Sequence, residues 1–406
     1  MRPFKRLISP DEALKLIMSY AKPIEDKEEI EVLAALNRVL AEDVNASIDV
    51  PPFDRAAEDG YAVRAEDTFG VSRTNPKRLR IVGKVLAGED PKIKVTEGTA
   101  VEIATGAVIP EGANAVVPVE ETELDDDGKH VIIYKAVHPG FDVSKKGEDI
   151  SKGDIVLRRG TVLGPPQIGV LAALGITRVM VYRKPKVAVI PTGDELVNPG
   201  EPLPRGKIYD VNTYTLSSVI LENGGIPVIV ERVPDDLSDL RNALERSLKE
   251  ADVVIFSGGS SVGVRDFLLD IFSERGEVLF HGVKLKPGKP TLAAIIDGKL
   301  VMGFPGYPTS CLSNAYYFLV PVLRKIARLP ERKWRTLRCK MGHRITSTLG
   351  RMQILPVKIE NSLAFSVFKE SGAITSLSNA EGFVFIPEDV DLIDKGDDVE
   401  VYMIRD

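Results

Sequence analysis

Cysteine is nearly missing from this chain. There are two in 406 residues, Cys311 and Cys339, and no CxxC. Histidine is scarce too, with His130, His138, His281 and His343 scattered along the sequence. A structural zinc site needs Cys and His clustered at fixed spacing, so none is expected. Two unmatched thiols suit a reducing compartment, and the expected location is the cytoplasm. Each Cys reads as inert rather than as a nucleophile. A bound metal is then expected to be a hard cation held by Asp and Glu oxygens. No run of 18 apolar residues occurs, which argues against a membrane-spanning helix. The opening "MRPFKRLISPDEAL" lacks the apolar stretch of a secretory signal. Positive excess is missing as well. Lys plus Arg is 53 against 59 Asp plus Glu, a net charge of −6, so neither nucleic acid nor a membrane surface is an expected partner. No Walker A and no GxGxxG is present.

What is there reads as a globular, multidomain chain: 44% hydrophobic and 28% charged residues, with a length that calls for two to four domains. Ser9, Pro10 and Glu12 make a helix start, with Ser9 as N-cap and Leu14, Ile17, Met18 and Ala21 at helical spacing. A second helix is expected over 34–43. The segment "SIDVPPFDRAAEDGYAVR" then breaks periodicity and reads as an ordered loop entering a new module. Between 78 and 136 the pattern is short, β-branched and turn-rich, a small β-domain inserted into a discontinuous one. Its "DDDGKH" reads as a solvated hairpin tip. A helix follows Pro165 and Pro166. From Lys186 onward, apolar strands alternate with helices, the pattern of a parallel sheet covered on both faces. Expected helices run over 213–223, over 239–249 with Ser238 as cap, and over 266–274. One from 309 to 327 should be kinked at Pro321. After Trp334 short strands return.

In a parallel α/β sheet, ligands bind beyond the carboxyl ends of the strands. The polar residues collect there: Thr192, Gly193 and Glu195 after "VAVIP"; Asp235 and Asp236 after "VIVERV"; Gly258, Gly259, Ser260 and Gly263 with Asp266 after "VVIFS". Lys286 and Lys289 follow in "KPGKP", and Pro305, Pro308 and Ser310 in "GFPGYPTS". Glycines let backbone amides approach an anion, and a helix N-terminus adds a favourable dipole. Two lysines three residues apart suit a phosphoanhydride or oxyanion. Glu195, Asp235 and Asp266 form a set able to hold a divalent cation. Each residue also has a plainer role open to it. Asp235 or Asp236 can cap the next helix, Asp266 suits a helix's first turn, and the lysines suit a solvated face. Thr192 can simply finish a strand, and the two prolines can simply shape a turn.

These motifs, in this order, resemble the MoeA family of molybdopterin molybdenumtransferases, to which the C-terminal region of gephyrin and the plant molybdenum insertases also belong. The matching segments are "DVPPFDRAAEDGYAV", "IATGAVIPEGANAVVPVEE", "GEDI", "PTGDEL", "YDVN", "SGGSSVGVRDF", "KPGKP", "GFPGYPTS" and "SGAITSLSNAEGF". The resemblance implies a discontinuous elongated domain (1–53 and 146–182), an inserted β-domain (54–145), a Rossmann-like molybdopterin-binding α/β domain (183–329) and a C-terminal β-barrel (330–406). It implies a homodimer whose site is shared between subunits, with other cofactor-biosynthesis proteins as further partners. The implied reaction consumes adenylylated molybdopterin and molybdate, or tungstate, and releases AMP. By position, Asp266, Lys286, Lys289, Asp59 and Thr105 match catalytic positions. Glu195, Asp235 and Asp266 match metal-holding acids, for Mg2+ or another divalent cation. Arg351 and Ser371 match the oxyanion site, and Asp149 the acid of the Gly-Glu-Asp motif.

The chain also departs from the family pattern. Relatives often carry Asn where this chain has Tyr307, and arginines where it has Lys145 and Lys146; Ser144 stands where another arginine occurs. Ser371 and Ser376 are alternatives for one role. Two other readings are a MogA-like molybdopterin adenylyltransferase and a non-catalytic, gephyrin-like scaffold. The inserted β-domain and "KPGKP" favour the insertase over the first, and the acids Asp59, Glu195, Asp235 and Asp266 favour it over the second.

Overall fold

A computed structural model of the chain describes residues 6–258 and 262–404, the side chains of 262–266 excepted. The chain divides into two units. One comprises Glu29–Leu36 and Leu40–Met180; the other comprises Met1–Glu28, Asn37–Val39 and Val181–Asp406.

The first unit holds a six-stranded sheet in the order Ala115–Pro118, Gly60–Val63, Thr99–Ile103, Lys77–Val85, His130–Ile133, Thr122–Leu124. Alternating side chains split onto two apolar faces. Tyr61, Val63, Ala115 and Val117 share one core, and Ala62, Val101, Ile103 and Val116 the other. The same unit carries helix Pro165–Ala173, as its two prolines predict. The helix expected over 34–43 does not form. A single 3-10 turn, Val32–Ala35, is followed by Asn37 at φ +62°, a left-handed residue that no helix continues through.

The second unit begins with helix Pro10–Tyr20, capped by Ser9 Oγ, which accepts from Glu12 N at 3.2 Å. Its central sheet uses β1 (Lys186–Thr192), α1 (Asn212–Glu222), β2 (Ile226–Ile229), α2 (Leu237–Glu250), β3 (Val253–Gly258), α3 (Val262–Arg275), β4 (Glu277–His281), β5 (Leu292–Ile296) and β6 (Lys299–Phe304). The strand order is β2-β1-β3-β6-β5-β4. Five strands share one direction, but β5 runs antiparallel to both of its neighbours, β6 and β4, where a parallel sheet was expected. Asp297 (φ +51°) and Gly298 (φ +75°) explain this: they make a two-residue hairpin turn, which can only join antiparallel strands. The central strands β1 and β3 are apolar on both faces. Val187, Val189, Val253 and Ile255 enter one core, and Ala188, Ile190, Val254 and Phe256 the other.

The start of the sheet is pinned by charge. Arg183 holds Asp252 with Nη1 and Nη2 at 2.7 and 2.9 Å, and Lys186 N donates to the same carboxylate at 2.8 Å. Burial alone would raise the Asp252 carboxyl; these bonds outweigh it and hold it below its ordinary value. With β1 and β3 tied there, the register runs forward to set Thr192 directly beside Gly258.

The expected helix 309–327 exists in three parts: α4 (Pro308–Asn314), a π-helical turn Ala315–Leu319, and α5 (Val320–Ile326). The irregularity falls just before Pro321, whose missing N–H and bulky ring disrupt the preceding turn. The C-terminal strands close a ring. Met352–Glu360, Leu363–Ser366, Thr336–Met341, Asp398–Met403 and Gly382–Ile386 pair in that order, and the last pairs back to the first. This is the expected β-barrel. Among the described residues no helix is long and apolar enough to cross a membrane.

Candidate functional site

A cavity of about 460 Å³ lies at the carboxyl ends of β1 and β3. Thr192, Glu195, Ser257 and Gly258 line it from the sheet, Tyr209–Asn212 from the loop before α1, and Gly306–Pro308 from the loop before α4. Gly372, from the C-terminal region, completes the wall. Two glycines are dictated by the backbone. Gly258 has φ +133°, and a Cβ there would sit 2.1 Å from Thr192 O. Gly193 has φ +138°, and a Cβ would sit 2.6 Å from the Glu195 carboxylate. Thr192 Oγ1, Ser257 Oγ and Asn212 Oδ1 are buried without a hydrogen-bond partner. Buried polar atoms are normally paired, so three orphans beside one cavity mark a place prepared for polar ligand atoms.

The acids separate into distinct roles. Asp236, not Ser238, is the N-cap of α2, accepting from Ser238 N at 2.8 Å and Asp239 N at 3.2 Å. The helix therefore begins two residues earlier than its expected start at 239, because the carboxylate reaches two amides at once. Asp235 is left free of capping. Its Oδ1 is buried without a partner, and its carboxyl is pushed above the ordinary range by burial, then by Asp194 and Glu195; Arg232 offsets part of this. Asp194 and Glu195 thus lie near enough to act on the Asp235 carboxyl. Gly259 and Ser260 lie outside the described residues. Gly263 and Asp266 are placed by backbone alone in α3, the Asp266 side chain lying outside them. The one described His/Asp/Glu group within mutual ligand reach is elsewhere: Asp125, Asp127 and His130, at the "DDDGKH" tip. There Arg78 already pairs with both aspartates, the contact to Asp127 being 2.7 Å.

A folded-state carboxyl raised above its unfolded value holds its proton more tightly when folded. Its stability contribution is intact below the ordinary carboxylate range and is lost as pH rises through that range to the raised value. At pH 7, without metal, Asp235→Asn is therefore expected to raise the melting midpoint by about 1–3 °C. Millimolar Mg2+ should raise the wild-type midpoint more than the variant's. Thermal-shift curves at pH 4 and pH 7 read both effects, and a variant melting below wild type at pH 7 would contradict this account.

"KPGKP" is docked firmly. Gly288 (φ +123°) packs against Asn314 of α4, where a Cβ would lie 2.2 Å from Oδ1. Asn314 Nδ2 donates to Thr291 Oγ1, which donates to Gly288 O at 2.6 Å. The turn carrying Lys286 and Lys289 is thereby tied to the helix carrying the buried Ser310. The short strand Leu285–Lys286 pairs in parallel with Met352–Gln353 of the barrel, and Lys286 Nζ donates to Thr348 Oγ1 at 3.1 Å. Arg351, half-buried, stands immediately before that pairing. Ser371 O accepts from Thr309 N at 3.0 Å, bringing the C-terminal loop to α4. Ser376 is buried and its Oγ accepts from Lys369 N at 3.0 Å, a turn-holding role, whereas Ser371 directly precedes the cavity-lining Gly372. Pro305 and Gly258 share a second, much smaller cavity. The described lining of the main cavity includes Thr192, Glu195, Gly258 and Pro308, but not Lys286, Lys289 or Arg351.

The remaining sequence-derived residues belong to the other unit. Thr105 donates to Asp59 Oδ1 through N at 2.6 Å and Oγ1 at 2.7 Å, which holds the Asp59 carboxyl below its usual value. Asp149 is exposed. Lys145 Nζ pairs with Asp54 at 2.9 Å and Lys146 Nζ with Asp49 at 3.5 Å, so these two lysines brace their own loop.

Sequence reasoning gave no role to Tyr209, Asp210, Asn212, Ser257, Tyr307 or Gly372, though "YDVN" and "GYP" stood among the matching segments. Asp210 is buried and its Oδ1 accepts from Thr213 N at 3.1 Å. Cys311 is wholly buried beside this region. Burial, then Asp210, pushes its thiol far above the ordinary range, which suits an inert residue.

Three family models match the chain: "MoeA N-terminal region (domain I and II)" over residues 8–175, "Probable molybdopterin binding domain" over 188–325, and "MoeA C-terminal region (domain IV)" over 338–404. A molybdopterin molybdenumtransferase of Bacillus subtilis is 34% identical, covering 98% of this chain and 94% of that protein. One from Nostoc is 31% identical over 100% of this chain and 95% of its own length. The crystal structure of a molybdopterin biosynthesis MoeA protein of Pyrococcus horikoshii is 44% identical, with TM-score 0.84 over 99% of this chain and 100% of that one.

Proposed function

From the premise that this chain belongs to the MoeA family, we propose that it is a molybdopterin molybdenumtransferase of molybdenum cofactor biosynthesis that consumes adenylylated molybdopterin and molybdate, or tungstate, and releases AMP. The observation that carries the reading is the cavity at the ends of β1 and β3, with its orphaned hydroxyls and its neighbouring acids. Thr192 and Ser257 offer hydroxyls to phosphate oxygens. Lys286, Lys289, Arg351 and Ser371 face the oxyanion; tetrahedral oxyanions suit such donors. Asp235 and Glu195 hold a divalent cation, Mg2+ being the simplest, with Asp266 as the third acid. The buried, unpartnered Asp235 Oδ1 fits this assignment. Such a cation offsets negative charge on phosphoryl oxygens. The proposal includes a homodimer in the cytoplasm, in which Asp59, Thr105 and Asp149 serve the site of a second copy. It also includes the fourfold division at 1–53 with 146–182, 54–145, 183–329 and 330–406.

The test is AMP release from adenylylated molybdopterin with Mg2+, with and without molybdate, and with tungstate in parallel. Release that depends on the oxyanion is expected. Oxyanion-independent release, or adenylylation of free molybdopterin by ATP, would overturn the insertase reading, the second outcome in favour of an adenylyltransferase.

A further inference from the structure

We propose that Tyr307 is a specificity-determining stacking platform for a flat, amino-bearing nitrogen heterocycle of the substrate, an inference that rests on the function proposed above. Tyr307 lines the cavity and is 57% exposed as a residue. An aromatic ring left this open inside a concave site has an unused face, and aromatic faces are good surfaces for planar heterocycles. Gly372 keeps that ring accessible: a Cβ there would already stand 3.6 Å from Tyr307 Cδ1.

The second observation is independent of the ring. Asn212 is 7% exposed, and its Nδ2 donates to Gly306 O at 2.8 Å. That bond fixes the amide's orientation and couples it to the residue just before Tyr307. It leaves Asn212 Oδ1 as a buried acceptor without a partner. An exocyclic amino group or ring N–H on a heterocycle stacked at Tyr307 supplies the missing donor. Tyr209 also lines the cavity, its hydroxyl anchored on Glu201 O at 2.9 Å. Adenine and pterin share this chemistry: each is flat and carries an amino group.

The experiment uses the full chain and two probes, AMP and unsubstituted pterin, the latter followed by its own fluorescence. Dissociation constants are measured for wild type, Tyr307→Phe, Tyr307→Ala and Gly372→Val, with melting curves to check folding. For one probe, Tyr307→Ala is expected to weaken binding about 5- to 100-fold. Tyr307→Phe should stay within about 2-fold, since the ring face is retained. Gly372→Val should weaken the same probe by covering the ring. The probe affected identifies which ring stacks. The proposal is overturned if the Ala variant binds both probes like wild type, if Phe is as damaging as Ala, or if wild type binds neither probe. Its failure is separable from failure of the function. Oxyanion-dependent AMP release with an unchanged KM for adenylylated molybdopterin in Tyr307→Ala sinks the platform alone, whereas no such release from wild type sinks the function.

Discussion

Gly258→Ala is expected to destabilise the second unit by about 3–5 kcal/mol and to abolish substrate binding. Two costs combine. The residue sits at φ +133°, where an L side chain is strained. Its added Cβ would also meet Thr192 O at 2.1 Å and Thr192 Oγ1 at 2.5 Å. Relief cannot come from a side-chain rotation, because the nearest obstacle is backbone in the adjacent strand. Thr192 and Gly258 are register partners on β1 and β3, so separating them splays the sheet where the cavity opens. Because the clash is made by Cβ itself, Gly258→Val should be only slightly worse than Gly258→Ala. Differential scanning calorimetry of both variants reads this. An Ala variant with the wild-type melting profile would show that the loop relaxes freely.

Lys286→Ala is expected to lower kcat/KM for oxyanion-dependent AMP release by about 10²–10³-fold with little change in melting. Lys286 is half-buried at the pairing of Leu285–Lys286 with the barrel strand, and its ammonium donates to Thr348 Oγ1. A single hydrogen bond to a threonine leaves most of its donor capacity for a ligand. In the proposed reaction its removal takes away positive charge from developing negative charge, while the backbone pairing of Leu285–Lys286 does not depend on the side chain. Lys286→Arg should recover part of the rate, since charge is kept but shape is not. Steady-state kinetics over a molybdate series decide the matter. A loss under about 3-fold would place the residue outside the chemistry.

Part of the site was legible in the sequence because it follows from local rules. Gly193 and Gly258 were readable as glycines ending apolar strands, and both prove to need backbone conformations that other residues avoid. Asp235 was readable as a candidate metal acid, with either it or Asp236 able to cap the next helix; the geometry of the α2 N-terminus gives the cap to Asp236. Ser9 capped its helix as local spacing predicts. The helix expected over 34–43 failed because apolar spacing there outweighed an Asn in the reading, and Asn tolerates left-handed backbone. The reversed direction of β5 was written in "IIDGKL", a hairpin signal that the surrounding βαβ rhythm obscured.

By itself, the sequence determined the alternation of strands and helices from Lys186 onward, where the bare strand ends lie, and that no thiol or His cluster was available for chemistry. Those properties depend on residues near one another in the chain. Only the tertiary structure decided that Asn212, Gly306 and Gly372 meet at one cavity, that Tyr307 presents an open ring there, and that Arg78 already occupies the Asp125 and Asp127 carboxylates. Those depend on contacts between distant segments, set by sheet register and by the barrel folding back onto α4, and no local spacing rule encodes them.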